Sequence, residues 1–68
     1  MELQLRINGA ERRFFRPLTV RELVGELGFE GKRVAIERNG EIVPRSRYGE
    51  VALVDGDRLE VVVAVGGG

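Results

Sequence analysis

The chain has 68 residues, room for one hydrophobic core and no second domain. It has no cysteine and no histidine, so disulfides, thiolate or imidazole metal ligands, thiol nucleophiles and Ser-His-Asp triads are all excluded. Eleven basic residues balance eleven acidic ones, which argues against a surface built to grip nucleic acid or an anionic membrane.

The first element is a strand. Leu3, Leu5 and Ile7 alternate with Gln4 and Arg6, the period-2 pattern of a half-buried strand. Asn8-Gly9 then signals a tight hairpin turn. Arg12 to Arg16 is the return strand, with Phe14 or Phe15 turned to the core, and Pro17 stops it. Thr19 followed by Glu22 forms a capping box. Val20, Leu23, Val24 and Leu27 recur at helical spacing, and Gly28 supplies the stop. A helix of about two turns is too short to stand alone and must lie on a sheet.

Arg33 to Arg38 reads as the next strand, with Val34 and Ile36 alternating. Asn39-Gly40 turns it into Glu41-Ile42-Val43, which Pro44 ends. Ser46 to Gly49 reads as an irregular or single 3₁₀ turn. A short strand over Val51 to Leu53 leads to a turn at Asp55-Gly56-Asp57. Arg58 to Val65 is the most strand-prone segment, with Leu59, Val61, Val63 and Val65 on one face. A last strand returning beside the first runs parallel to it, with the helix as crossover. The expected fold is α+β: a mixed sheet of four to five strands packed on one short helix, the ubiquitin-like β-grasp arrangement. Residues 1–65 form that domain and residues 66–68 a flexible glycine tail. The core expected beneath the helix is Leu3, Leu5, Ile7, Leu23, Leu27, Ile36, Leu59 and Val61.

Ten of the eleven cations are arginine, a balance that fits a thermophilic source as well as an ordinary charged surface. The longest apolar run, Val61 to Val65, is too short to span a bilayer, and Met1-Glu2-Leu3 begins no signal peptide. A soluble, cytoplasmic chain is expected.

Few side chains here can do chemistry. Thr19 is used as a cap, and Ser46 and Tyr48 have no neighbouring base to activate them. Asp55-Gly56-Asp57 lacks the further ligands of a calcium loop, so a turn explains it. Arg12, Arg13 and Arg16 form a basic cluster that reads as a charged strand edge or, with Phe14-Phe15, as an RNA-binding face. What remains is the end of the sequence. Gly66, Gly67 and Gly68 follow a valine-rich strand and carry an α-carboxylate. Without Cβ atoms they fit a channel too narrow for other residues, and in extended form they reach about 10 Å. A carboxylate joined to AMP becomes a mixed anhydride, so a chain without catalytic side chains can still react at its own end.

Asn39-Gly40-Glu41-Ile42-Val43-Pro44-Arg45, Asp55-Gly56-Asp57 and the valine-rich strand ending in Gly67-Gly68 resemble the sulfur carriers of thiamine biosynthesis, the ThiS family. Asn8-Gly9 and the Thr19-Val20-Arg21-Glu22-Leu23 helix start also fit it, so the resemblance covers the whole chain. Gly66 is one glycine more than the family's ending requires. The resemblance implies that an E1-like adenylyltransferase, using ATP and magnesium, adenylates the Gly68 carboxylate. A persulfide from a cysteine desulfurase or other donor then converts it to a thiocarboxylate, and thiazole synthase takes the sulfur. The carrier itself holds no cofactor or metal and is not an enzyme. It has no nucleic-acid or membrane partner and is a monomer when unbound. A terminal Gly-Gly is also shared by the small subunit of molybdopterin synthase and by carriers for tRNA thiolation or ubiquitin-like modifiers, which stay as alternatives. Val62 and Ala64 alternate away from the core positions of the last strand. With Val65, and with Arg58 at the rim, they are the expected docking patch for the adenylyltransferase.

Overall fold

The computed structural model describes residues 1–64. In chain order it contains β1 (Leu3–Ile7), β2 (Ala10–Phe14), α1 (Val20–Glu26), β3 (Val34–Arg38), β4 (Glu41–Ile42), a 3₁₀ turn (Arg45–Arg47) and β5 (Arg58–Val63). The strands form one sheet in the order β2-β1-β5-β3-β4. β1 and β5 run parallel, while β1–β2, β3–β5 and β3–β4 are antiparallel. The two terminal strands thus meet at the centre of a mixed sheet with α1 as the crossover between its halves, the β-grasp arrangement.

One side of the sheet supplies the core. Leu3, Leu5, Ile7, Ile36, Leu59 and Val61 are buried against Leu23 and Val20 of α1. Leu27, expected among them, is only partly buried because α1 ends one residue before it. Phe14 is the aromatic turned inward; Phe15 is 73% exposed. Leu18, Val43, Tyr48 and Leu53 complete the cluster from the connecting segments.

Several boundaries depart from the sequence reading: β3 starts at Val34, β4 ends at Ile42, the 3₁₀ turn is Arg45–Arg47 rather than Ser46 to Gly49, and three larger departures have a structural reason. β2 starts at Ala10 and ends at Phe14, because a two-residue Asn8-Gly9 turn makes Ala10 the partner of Ile7. Val51 to Leu53 forms no strand. Ala52 makes a single bridge to Thr19, and the Leu53 N–H donates to the Leu18 carbonyl, so the segment ties down the approach to α1 instead. Regular pairing of the last strand stops at Val63, opposite Val34 where β3 begins, with one further bond from the Ala64 N–H to the Arg33 carbonyl; Val65 lies outside the described residues.

α1 has seven residues, and its start is held by the expected capping box. The Thr19 hydroxyl accepts from the Glu22 N–H at 3.2 Å, and the Glu22 carboxylate accepts from the Thr19 N–H at 2.9 Å. Thr19→Ala should cost about 1 kcal/mol. Urea denaturation at neutral pH checks this, with a lower midpoint and an unchanged slope expected. Among the described residues, no helix is long and apolar enough to cross a membrane.

Candidate functional site

The other side of the sheet is open to solvent. Arg58, Glu60 and Val62 of β5 point there, with Ala35 and Glu37 of β3 in register beside Val62 and Glu60. Arg6 of β1 lies level with Arg58, and Ile42 of β4 lies level with Glu37. Val62 is 62% exposed and Ile42 67%. Val62 with exposed Ala35 and Ala64 makes a small apolar patch where β5 ends, and Ile42 stands apart from it, two strands over and level with Glu60. Of the residues expected to dock a partner, Val62, Ala64 and Arg58 therefore share an exposed strand, with Arg58 at the far rim. Val65, Gly66, Gly67 and Gly68 lie outside the described residues. Ala35 and Ile42 were missed from sequence. Their one-dimensional signal, alternation with Ile36 and Val43, is present, but it does not say that β3 sets Ala35 beside Val62 or that β4 puts Ile42 on the same open face.

β5 is held in place by the two asparagines of the Asn-Gly turns. Asn8 and Gly9 have φ of 51° and 84°, Asn39 and Gly40 of 53° and 87°. Positive φ at both central residues is the type I′ pattern, whose twist matches antiparallel strands. β1 ends at Ile7, yet the Asn8 side chain continues its pairing. Its Oδ1 accepts from the Val61 N–H at 2.7 Å and its Nδ2 donates to the Val61 carbonyl at 3.0 Å. On the other flank, Asn39 Oδ1 accepts from the Arg58 N–H at 2.9 Å, and the Asn39 N–H donates to the Arg58 carbonyl at 2.8 Å. The strand feeding the tail is clamped from both sides. An aspartate would serve either turn but has no N–H to donate, so asparagine is the matched choice at Asn8.

Asp57 anchors the start of the same strand. It is the one buried charged residue among those described, at 6% exposure. Its carboxylate accepts from Arg38 Nε at 2.8 Å, Asn39 Nδ2 at 3.0 Å and the Val54 N–H at 2.8 Å. Burial alone would raise its pKa. The hydrogen bonds from Asn39, Val54 and Arg38, together with the Arg38 charge, outweigh burial and hold it below the usual carboxylate value. Asp55 has a separate task, its Oδ1 accepting from the Gln4 N–H at 2.7 Å.

Of the three hydroxyls the sequence singled out, Thr19 and Tyr48 are committed to structure and Ser46 is exposed. Tyr48 is buried and donates to the Val34 carbonyl at 3.2 Å, and Thr19 caps α1. Arg13 pairs with Glu2 and Glu11, and Arg16 with Glu22 and Glu26. Arg12 lies over the Phe14 ring at 5.9 Å. The basic cluster is thus a charged edge laced with carboxylates, which disfavours the RNA-face reading. Among the described residues, no group of His, Cys, Asp and Glu side chains could hold a metal ion.

A mixed β2-β1-β5-β3-β4 sheet with one crossover helix and parallel terminal strands defines a ubiquitin-like β-grasp domain. A family model described as the ThiS family matches residues 5–68. The chain is 40% identical to the sulfur carrier protein ThiS of Bacillus subtilis over 65 residues, which cover 94% of this chain and 98% of that one. It is 54% identical over 66 residues to a thiazole synthase of Paramagnetospirillum magneticum, covering 97% of this chain but 20% of that protein. The chain therefore spans about a fifth of the length of such relatives. The crystal structure of a ThiS protein from Geobacter metallireducens superposes with a TM-score of 0.81 at 30% identity, covering 97% of this chain and 100% of that one. The chain belongs to the ThiS family of sulfur carriers.

Proposed function

We propose that this chain carries sulfur for the thiazole of thiamine as a thiocarboxylate on Gly68. The observation that carries the reading is the near full-length similarity to a sulfur carrier protein ThiS, combined with a sequence that ends in Gly67-Gly68. An E1-like adenylyltransferase, with its own ATP and magnesium, joins the Gly68 carboxylate to AMP and releases pyrophosphate. The terminal sulfur of a persulfide, made by a cysteine desulfurase or another donor, attacks the acyl carbon and AMP leaves. A thiol then cleaves the S–S bond and frees the thiocarboxylate. Thiazole synthase consumes it, a partnership supported by relatives in which a segment like this one makes up about a fifth of a thiazole synthase. On this reading the chain works in the cytoplasm, is a protein co-substrate and performs no catalysis itself.

Mass spectrometry of the protein from its native host tests the chemistry. A gain of about 16 Da at Gly68, oxygen replaced by sulfur, is expected. A terminal carboxylate that stays unmodified in cells making thiamine overturns the reading.

The open sheet face then docks the adenylyltransferase through Val62 and Ala64, with Ala35 alongside, Ile42 apart on the same face and Val65 next in the chain. Val62→Asp should raise KM for the carrier in ATP–pyrophosphate exchange by roughly tenfold or more, since a buried unpaired charge is costly at an interface. Its melting temperature should stay near wild type because the side chain is already solvated. An unchanged KM in the folded variant removes the patch from the docking surface.

A further inference from the structure

Three cations of the domain line one cleft near the last described residues. A cleft of about 250 Å³ opens between α1, the loop after it and the 3₁₀ turn. Its floor is Val24, Val34 and the Tyr48 ring, and its rim carries Arg21, Lys32 and Arg45 against a single acid, Glu30. Elsewhere arginines such as Arg13, Arg16, Arg38 and Arg47 have carboxylates within ion-pair distance. Arg21, Lys32 and Arg45 have none among the described residues; Arg6, Arg12, Arg33 and Arg58 share that state, but these three line one cleft. The cleft also adjoins the exit of the last strand. The Ala64 N–H donates to the Arg33 carbonyl at 2.9 Å, and Arg33 stands between the lining residues Lys32 and Val34.

We infer that this cleft docks an acidic segment of the adenylyltransferase that activates Gly68, an inference that rests on the carrier reading above. Two observations select that occupant. First, the cleft and the open sheet face are continuous. β4 pairs β3 only at Glu37 and Arg38, and the Val43 N–H reaches Ile36, so the β3 edge at Val34 and Ala35 is uncovered by any strand. Val34 lines the cleft and its neighbour Ala35 lies on the outer face, so one partner reaches both around a single strand. Second, the donors suit a carboxylate-bearing segment better than a tightly held phosphate. Phosphate cradles converge backbone N–H groups on the anion. Here the N–H groups of two of the three cations are spent, Arg21 donating to Tyr48 and Lys32 to Phe29. What is left is a ring of long cationic side chains over an apolar floor, which suits steering of an extended acidic strand or loop.

The test is ATP–pyrophosphate exchange with the E1-like adenylyltransferase of the same organism, at several salt concentrations. Arg45→Glu should raise KM for the carrier roughly tenfold and flatten its salt dependence, with kcat at saturation unchanged. Arg13→Glu makes the same charge change on the edge strand at the other side of the sheet and should stay within about twofold of wild type. Both side chains are exposed, so melting curves should match wild type. Equal KM values for Arg45→Glu and wild type, or equal losses in both variants, overturn the cleft assignment while leaving the carrier reading intact. Amide shifts at Arg21, Lys32 and Arg45 on titration with inorganic phosphate, with KM untouched by Arg45→Glu, assign the cleft to a small anion and also overturn it. Wild-type protein that is not adenylated at all overturns both readings together.

Discussion

Removing Gly68 should abolish activation while leaving the fold intact. The truncated chain ends in Gly67, a glycine carboxylate of nearly the same intrinsic reactivity, so any loss reports position rather than chemistry. The acyl carbon must come within about 3–3.5 Å of the attacking atom, and losing one residue withdraws it by about 3.5 Å. A displacement of that size costs at least about a hundredfold in rate. One residue added after Gly68 tests the converse, because the carboxylate then overshoots the reacting atoms. Gly67→Val should fail by bulk, through a Cβ the channel does not accommodate. These changes leave every residue of the described core cluster in place, so melting curves should superimpose on wild type. The measurements are ATP–pyrophosphate exchange and thiocarboxylate formation. Normal rates for the Gly68 deletion would remove the main support for the carrier reading and favour a plain interaction domain.

The fold was legible in the sequence wherever one local rule decided the outcome. Alternation in Leu3 to Ile7, the two Asn-Gly turns and the Thr19–Glu22 box each act over a few residues, and each appears as expected. The parallel pairing of β1 with β5 followed from topology, since a crossover helix permits little else. What stayed illegible depends on register and on distant partners. The choice of Phe14 over Phe15 follows from where the turn ends, which shifts every later side chain to the other face. The dissolution of the Val51–Leu53 strand follows from competition for backbone groups by Leu18 and Thr19.

The site divides in the same way. Val62, Ala64 and Arg58 could be placed on a face by counting along one strand. Ala35 and Ile42 needed the strand order. The cleft of Arg21, Lys32 and Arg45 could not be seen at all, because its three cations come from a helix, a loop and a 3₁₀ turn. Asn8 and Asn39 were visible as turn formers but not as clamps on β5. Their side chains act across 53 and 19 residues of sequence.

Asp57 was read as part of a turn, and its replacement should have the largest effect on stability. Asp57→Ala strips the partner from the Arg38 guanidinium, the Asn39 amide and the Val54 N–H at once. Arg38 is 29% exposed and Asn39 is exposed, so both regain water, and losing these hydrogen bonds to a charged group costs about 2–3 kcal/mol. In a domain of this size that lowers the melting temperature by about 10–20 °C. Asp57→Asn keeps the shape and one acceptor oxygen but not the charge, so it separates charge from packing. The depressed pKa fixes the pH window. The folded state binds the Asp57 proton less readily than the unfolded chain, whose reference value is 3.8. The carboxylate's contribution is therefore fully present above about pH 5 and is lost as pH falls through 3.8 and below, toward the folded-state value. Urea unfolding of wild type and Asp57→Asn at pH 7 and at pH 3 measures this. The gap between the two proteins should narrow at the acidic pH, because protonation makes the wild-type side chain as neutral as the amide. A gap that is constant across that range would mean that the charge contributes nothing and that the cluster acts through its neutral hydrogen bonds alone.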